Sequence, residues 1–247
     1  MQHNHSITNH KLPDYDFHLP RKLTYPLPVG VISVMLGCLL YFLLRKPQPK
    51  LAGFWAGISI LSGGVYVGIF VLLKRITNLE RRLMARDKFL DAIPWQGSET
   101  VLDIGCGNGI LLLGAAKRLT TGKGIGIDMW TEGSGDNRPE AFQENAKIEG
   151  VADRVSLQNE DVRQLPYDDE FFDVIISGLT MHHLGSDTNK AMSEMTRVLK
   201  PGGRMAIYDE PSTVYYCAKL MRRNGLEVEK KDAEMVFATK PPPATSE

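Results

Sequence analysis

Apolar positions are distributed in two different ways along this chain. From Leu27 to Leu44 (LPVGVISVMLGCLLYFLL) 18 residues pass without a charge, and from Leu51 to Leu73 (LAGFWAGISILSGGVYVGIFVLL) 23 do so. About 20 apolar residues, at about 1.5 Å rise each, span a bilayer as a helix. Both runs are therefore predicted to be transmembrane helices. Only Arg45–Lys50 (RKPQPK) separates them, which predicts an antiparallel hairpin over 27–73. A second span following so soon argues against a cleaved signal peptide. From 74 to 94 the pattern changes: Ile76, Leu79, Leu83, Leu90 and Ile93 recur at helical spacing among arginines. That is an amphipathic linking helix, ended by Pro94. It is suited to anionic lipid or to leading the following domain.

Beyond residue 95, short apolar runs alternate with amphipathic stretches. Strands are predicted at Thr100–Ile104, Gly124–Asp128, Val155–Asn159, Phe171–Ser177 and Arg204–Asp209. Helices are predicted at Ile110–Leu119, Pro139–Glu149, Thr188–Leu199 and Ser212–Arg223. Leu226–Lys231 and Met235–Thr239 close the series as an antiparallel pair. Alternation of this kind predicts a doubly wound, mostly parallel seven-stranded α/β sheet over 95–240. Residues 1–26 (polar, with three prolines and four histidines) and 241–247 are predicted to be disordered tails.

Charge adds an orientation and removes a partner. Lys and Arg together number 29, as do Asp and Glu, so no net field draws nucleic acid. Nine basic residues flank the hairpin: Lys11, Arg21, Lys22, Lys74, Arg75, Arg81, Arg82, Arg86 and Lys88. The linker holds three. The positive-inside trend places both flanks, and the domain after them, in the cytoplasm. Gly53–Gly57 and Gly64–Gly68 are GxxxG pairs that suit close helix packing, within the hairpin or in a homo-oligomer. The three cysteines, Cys38, Cys106 and Cys217, form no metal spacing, and no metal site is expected.

The chemistry concentrates in VLDIGCGNG, Val101–Gly109. A strand delivers the chain into glycines at 105, 107 and 109, and a helix opens at once. Glycines permit a sharp turn and a close ligand approach, and the helix start offers free N–H groups. A nicotinamide fingerprint, GxGxxG, needs a small residue at 110, where Ile110 stands. Instead, the GxGxG spacing after Asp103 resembles motif I of the class I, Rossmann-like S-adenosylmethionine-dependent methyltransferases.

The resemblance extends from about Trp95 to Lys240, through GIGIDMW, NEDVRQLPYDDEFFDVIIS and EMTRVLKPGGRMAIYDE. It implies S-adenosylmethionine as cofactor. Asp103, Gly105, Gly107, Asn108 and Gly109 would form its loop, and Asp128 would accept from its ribose diol. Met129 would pack on adenine. Asp161 would accept from the adenine amino group, beside the Val162 backbone donor, and Ser177 would edge the site. It also implies a fold in which Pro201-Gly202-Gly203 is a tight connection.

Methyl transfer from a sulfonium needs mainly proximity and orientation, with a base where the acceptor carries a proton. His182 and His183, after the fourth strand, are the candidate bases. Asp209 and Glu210 edge the same pocket, and Tyr167 is a further candidate. Cys106 is expected to be structural. After the fourth strand stands Ser177-Gly178-Leu179-Thr180, not the Asp/Asn-Pro-Pro-Tyr motif of amino-methylating nucleic-acid enzymes. The expected function is a membrane-anchored methyltransferase acting on a small, lipophilic acceptor such as a phospholipid amine, quinone or isoprenoid. Three alternatives remain: a soluble or protein acceptor, a tethered cofactor-binding scaffold without turnover, and a nicotinamide enzyme.

Overall fold

A computed structural model describes residues 13–15, scattered helical positions between 32 and 43, and residues 49–130 and 139–242. The chain separates into two units. One comprises residues 1–16 and 83–247, the other residues 17–82.

The first unit is built on a seven-stranded sheet. Its strands are β1 (Thr100–Ile104), β2 (Lys123–Asp128), β3 (Val155–Asn159), β4 (Phe172–Gly178), β5 (Leu199–Tyr208), β6 (Glu227–Lys231) and β7 (Met235–Thr239). Their order is β3-β2-β1-β4-β5-β7-β6. All neighbours are parallel except that β7 runs antiparallel to both β5 and β6. The order reverses between β1 and β4, which makes a crevice at their carboxyl ends the place for a ligand.

Burial follows position in the sheet. Val101, Leu102 and Ile104 of β1, and Val174, Ile175 and Ile176 of β4, are buried. Central parallel strands are covered on both faces and so read as unbroken apolar runs. The edge strand β3 (VSLQN) instead holds only exposed and half-buried residues.

The helices are α1 (Pro49–Leu90), α2 (Ile110–Ala116), α3 (Pro139–Ile148), α4 (Thr188–Val198) and α5 (Pro211–Arg223). From Leu83 onwards α1 belongs to the sheet unit, and its last turns close the core. Phe89 and Leu90 are buried, with the Phe89 ring 5.5 Å from that of Phe237 and 6.3 Å from that of Tyr208. A Cβ on Gly114 of α2 would come within 2.7 Å of Leu90, so glycine there lets the two helices close up.

The expected strands and helices mostly agree with the structure to within one or two residues, and one expectation changes. The helix expected over 74–94 is the continuation of α1. Helix α1 runs unbroken from Pro49 to Leu90, because no Gly or Pro interrupts it beyond Gly68, and it stops short of Pro94. Pro201-Gly202-Gly203 is not a connection ahead of the fifth strand but an excursion within it. Leu199 already pairs with Phe172, and the register resumes at Val174–Arg204. Gly202 takes a left-handed φ of 77° there, and its N–H donates to Lys240 O at 2.7 Å.

In the other unit, α1 begins at Pro49 and presents Phe54, Ile58, Leu61 and Val65 exposed. Among the described residues no helix is long and apolar enough to cross a membrane. Most of the first expected span, 27–44, lies outside the described residues; the second, 51–73, lies within α1, with the side chains at 51, 52, 56, 62, 66 and 69–73 outside the described residues. A Cβ on Gly53, Gly57, Gly64 or Gly68 meets nothing within 4 Å. Among the described residues, nothing is packed on the GxxxG face.

Candidate functional site

The carboxyl ends of β1, β2 and β4 are tied together by the loop that follows β1. The N–H groups of Gly105 and Cys106 both donate to Ile127 O, at 2.8 and 3.0 Å. Gly105, Gly107 and Gly109 have φ values of 67°, 50° and 89°, the left-handed region that a side chain makes costly. A Cβ on Gly105 would lie 2.2 Å from Thr180 Oγ1, and one on Gly109 would strike the Phe142 ring. The loop is thus a tight backbone cradle opening α2.

Asp103 stands at the base of this cradle, 1% exposed. Its Oδ2 accepts from the Leu112 N–H at 3.1 Å. Gly109, the residue before α2, has no side chain to satisfy the first-turn donors, so Asp103 does so from β1. Burial pushes its carboxyl well above the usual range, and the nearby Asp128 charge adds to this. The geometry makes Asp103 a support of the loop's helix. Burial also pushes the Cys106 thiol well up, which suits a packing role rather than a nucleophile.

Asp128 ends β2. Its Oδ2 accepts from Gly107 N–H and its Oδ1 from Met129 N–H, both at 2.8 Å. A carboxylate has about four acceptor sites, so it retains capacity for a diol. Met129 beside it is 51% exposed. Left-handed glycines, a helix start and a half-satisfied carboxylate at the strand end fit S-adenosylmethionine in their chemistry.

The remaining cofactor candidates part company. Asp161 is held by Arg163, whose Nε lies 2.9 Å from each carboxylate oxygen. These hydrogen bonds keep Asp161 below the usual carboxylate range. Arg163 also reaches Asp187 at 2.8 Å. Val162 is buried in the core. Ser177 is fully buried and donates to Ile104 O at 3.1 Å; it joins two strand ends, which corrects its expected place at the edge of the cofactor site. Asn108 is buried within the loop.

The two histidines separate as well. His182 Nδ1 lies 2.8 Å from Asp209 Oδ1. Asp209 follows β5 and is 1% exposed, and the same oxygen accepts from Glu210 N–H at 2.7 Å. His183 is exposed, its ring 3.9 Å from that of His182. Leu179, three residues before His182, adopts a left-handed φ of 54°. Tyr167 is occupied elsewhere: its hydroxyl donates to Gln158 on β3 at 2.5 Å, and burial pushes it up to about 12.

Two functional contacts escaped the sequence. Glu194 and Arg197 of α4 bind the backbone of Leu165 and Tyr167, so two of the quoted motifs hold each other. Asn145 of α3, buried beside Phe142 and Ala146, bonds the glycine loop. A polar residue on that helix's apolar stripe was its one visible signal.

Residues 102–207 match the family model described as a methyltransferase domain. The sheet order, with one antiparallel strand, is that of the class I members. This segment is an S-adenosylmethionine-dependent methyltransferase domain. The chain is 39% identical over 110 residues to Methyltransferase GfsG of Streptomyces halstedii, covering 44% of this chain and 37% of that protein. It is 32% identical over 122 residues to 2-phytyl-1,4-naphtoquinone methyltransferase of Trichormus variabilis, covering 48% and 51%. It thus spans about half or less of the curated relatives it matches. The solved structure of a SAM-dependent methyltransferase from Aquifex aeolicus shares the fold, with a TM-score of 0.55, 24% identity and coverage of 68% and 97%.

Proposed function

We propose that this protein methylates a small, lipophilic acceptor that gives up a proton, with His182 as general base. The observation that carries the reading is the His182–Asp209 pair. A buried carboxylate accepting from Nδ1–H fixes the ring and its tautomer, leaving the Nε2 lone pair to take a proton. The pair sits beyond β4 and β5, across the crevice from the glycine loop. When bound, S-adenosylmethionine supplies an electrophilic methyl group. The chain's own residues hold and orient. Gly105–Gly109 present backbone N–H groups, Asp128 accepts hydroxyls, and Met129 offers an apolar surface. His182 takes the acceptor's proton as its oxygen, nitrogen or carbon gains the methyl group.

A lipophilic acceptor is supported by the relative named for a phytyl naphthoquinone and by the apolar N-terminal runs. We further infer that 27–44 and 51–73 form a transmembrane hairpin with the catalytic unit on the cytoplasmic side. Their lack of charge supports this, as do the exposed Phe54, Ile58, Leu61 and Val65. Tyr15 and Arg86 both bond Glu149. The GxxxG face is then free to pair two copies in the bilayer.

The deciding experiment compares lipid and metabolite extracts of deletion and wild-type cells, using isotopic methyl label. A labelled species lost in the deletion and restored by wild type, but not by His182→Ala, is the expected result. If the protein binds S-adenosylmethionine but a broad acceptor panel with membrane extract gives no turnover, the scaffold reading replaces this one. Recovery in the soluble fraction would remove the hairpin.

A further inference from the structure

Three residues ahead of the expected hairpin are ordered against the methyltransferase unit, contrary to the disorder expected for 1–26. Asp14 N–H donates to Asn145 Oδ1 at 2.8 Å, and Asn145 Nδ2 donates back to Asp14 O at 2.8 Å. The second hydrogen of that amide goes to Asn108 O at 3.1 Å. Asn108 in turn donates from Nδ2 to Asp14 O at 3.3 Å. Asn145 is 2% exposed and Tyr15 5%. The Tyr15 hydroxyl donates to Glu149, which also holds Lys117 and, at 3.1 Å, Arg86.

One carboxamide thus reads both backbone groups of Asp14 as a neighbouring strand would, and grips the glycine loop with its remaining hydrogen. Asn108 lies between Gly107 and Gly109, whose left-handed backbones are the softest part of the cradle. That loop has to hold its N–H groups in one orientation to bind a ligand, and Asn145 is the side chain that fixes its Asn108 carbonyl. A buried amide with its donors and acceptor spent in this way is costly to disturb, because each lost partner strands another polar group.

We propose that Asn145 is a positioning residue for the cofactor loop, and that Pro13–Tyr15 is a strap completing it, so that cofactor affinity depends on residues preceding the membrane segment. This rests on the methyltransferase reading. The strap is latched at its far side by Tyr15 on Glu149, and Glu149 is itself held by Arg86 and Lys117. Residues from both ends of segment 16–85 therefore converge beside the cofactor loop.

The test uses the full chain in detergent micelles, with S-adenosylmethionine and S-adenosylhomocysteine binding read by calorimetry. Amide exchange at 105–109 and thermal unfolding are followed in parallel. Removing residues 1–15, which takes away the buried Tyr15 but no member of the apolar cluster packed on the sheet, is expected to weaken binding about tenfold, or ~1.4 kcal/mol. Loop exchange rises while the unfolding temperature of the core strands holds. Asn145→Ala is expected to do the same, and the combined variant to be no worse than Asn145→Ala alone, since coupled partners do not add. Binding within twofold of wild type after the deletion, or additive effects, overturns the strap. Wild type that binds neither compound overturns the methyltransferase reading itself.

Discussion

The two halves of the sheet's carboxyl edge are built by different means. On the β1–β2 side the cradle is backbone: left-handed glycines, a helix start and one carboxylate receiving peptide N–H groups. On the β4–β5 side it is a side-chain pair, His182 on Asp209, joined across 27 residues of sequence. The first half leaves little freedom in residue type, since a side chain at Gly105 collides with Thr180. The second fixes only an orientation, and leaves the acceptor to be chosen by whatever surrounds it. One donor serves many acceptors, and such a division lets the same fold change substrate without changing cofactor.

The sharpest way to break this contrast is at the pair. His182→Ala is expected to lower kcat by about 10²- to 10⁴-fold, the usual yield of a positioned base. S-adenosylmethionine affinity should hold within a few-fold. Asp209→Asn should act in the same direction by releasing the ring, whereas His183→Ala should leave kcat nearly unchanged. Equal losses for the two histidines would mean that Asp209 does not select between them. The opposite split is expected on the other half. Gly105→Ala adds a Cβ at a left-handed φ against Thr180, so calorimetry should show cofactor binding collapse. The strain of about 1–2 kcal/mol for the backbone alone should also lower the unfolding temperature.

These expectations follow the line between what the sequence displayed and what it concealed. Glycine spacing is local, so Gly105, Gly107 and Gly109 and the strand before them could be read in nine residues. The doubly wound sheet followed from alternation, and the central strands from apolar runs. The histidines were visible as candidates, but their difference was not, because it depends on Asp209 arriving from β5. Asp161 and Ser177 matched by position, yet their chemistry is set by neighbours: Arg163 holds one, and Ile104 O receives the other. Asn145 showed only as a polar residue on an apolar helix stripe, and its partners did not show at all: it bonds main-chain atoms, and main chain carries no signature.

Asp103 sharpens the contrast from beneath, since it serves the cradle without facing outward. Burial raises its folded carboxyl pKa above that of the unfolded chain. A raised value gives stability that is complete below the unfolded pKa and lost as pH rises through the folded one. Wild type should therefore lose stability over that rise, at up to about 1.4 kcal/mol per pH unit. Asp103→Asn keeps an acceptor for the Leu112 N–H but cannot titrate. Unfolding temperatures measured from pH 5 to 9 should show a slope in wild type that the variant lacks.

The smallest expected effect lies at Glu149, where the strap and the end of α1 meet. Burial raises its carboxyl, but hydrogen bonds from Lys117 and Tyr15 and the charges of Arg86 and Lys117 outweigh that and leave it below the usual value. A depressed carboxylate has the opposite sign from Asp103. Its contribution is present above the unfolded pKa, about 4.3, and is lost as pH falls through the lower folded value. Glu149→Gln should thus cost on the order of 1–2 kcal/mol at pH 7, typical of hydrogen bonds to a charged group. The two proteins should begin to converge as pH drops below about 4.3 and meet as it falls through the lower folded value, where wild-type Glu149 also loses its charge. A deficit that stayed constant from pH 7 to pH 3 would show that Glu149 acts by packing alone, and that Tyr15 and Arg86 are not brought together by its charge.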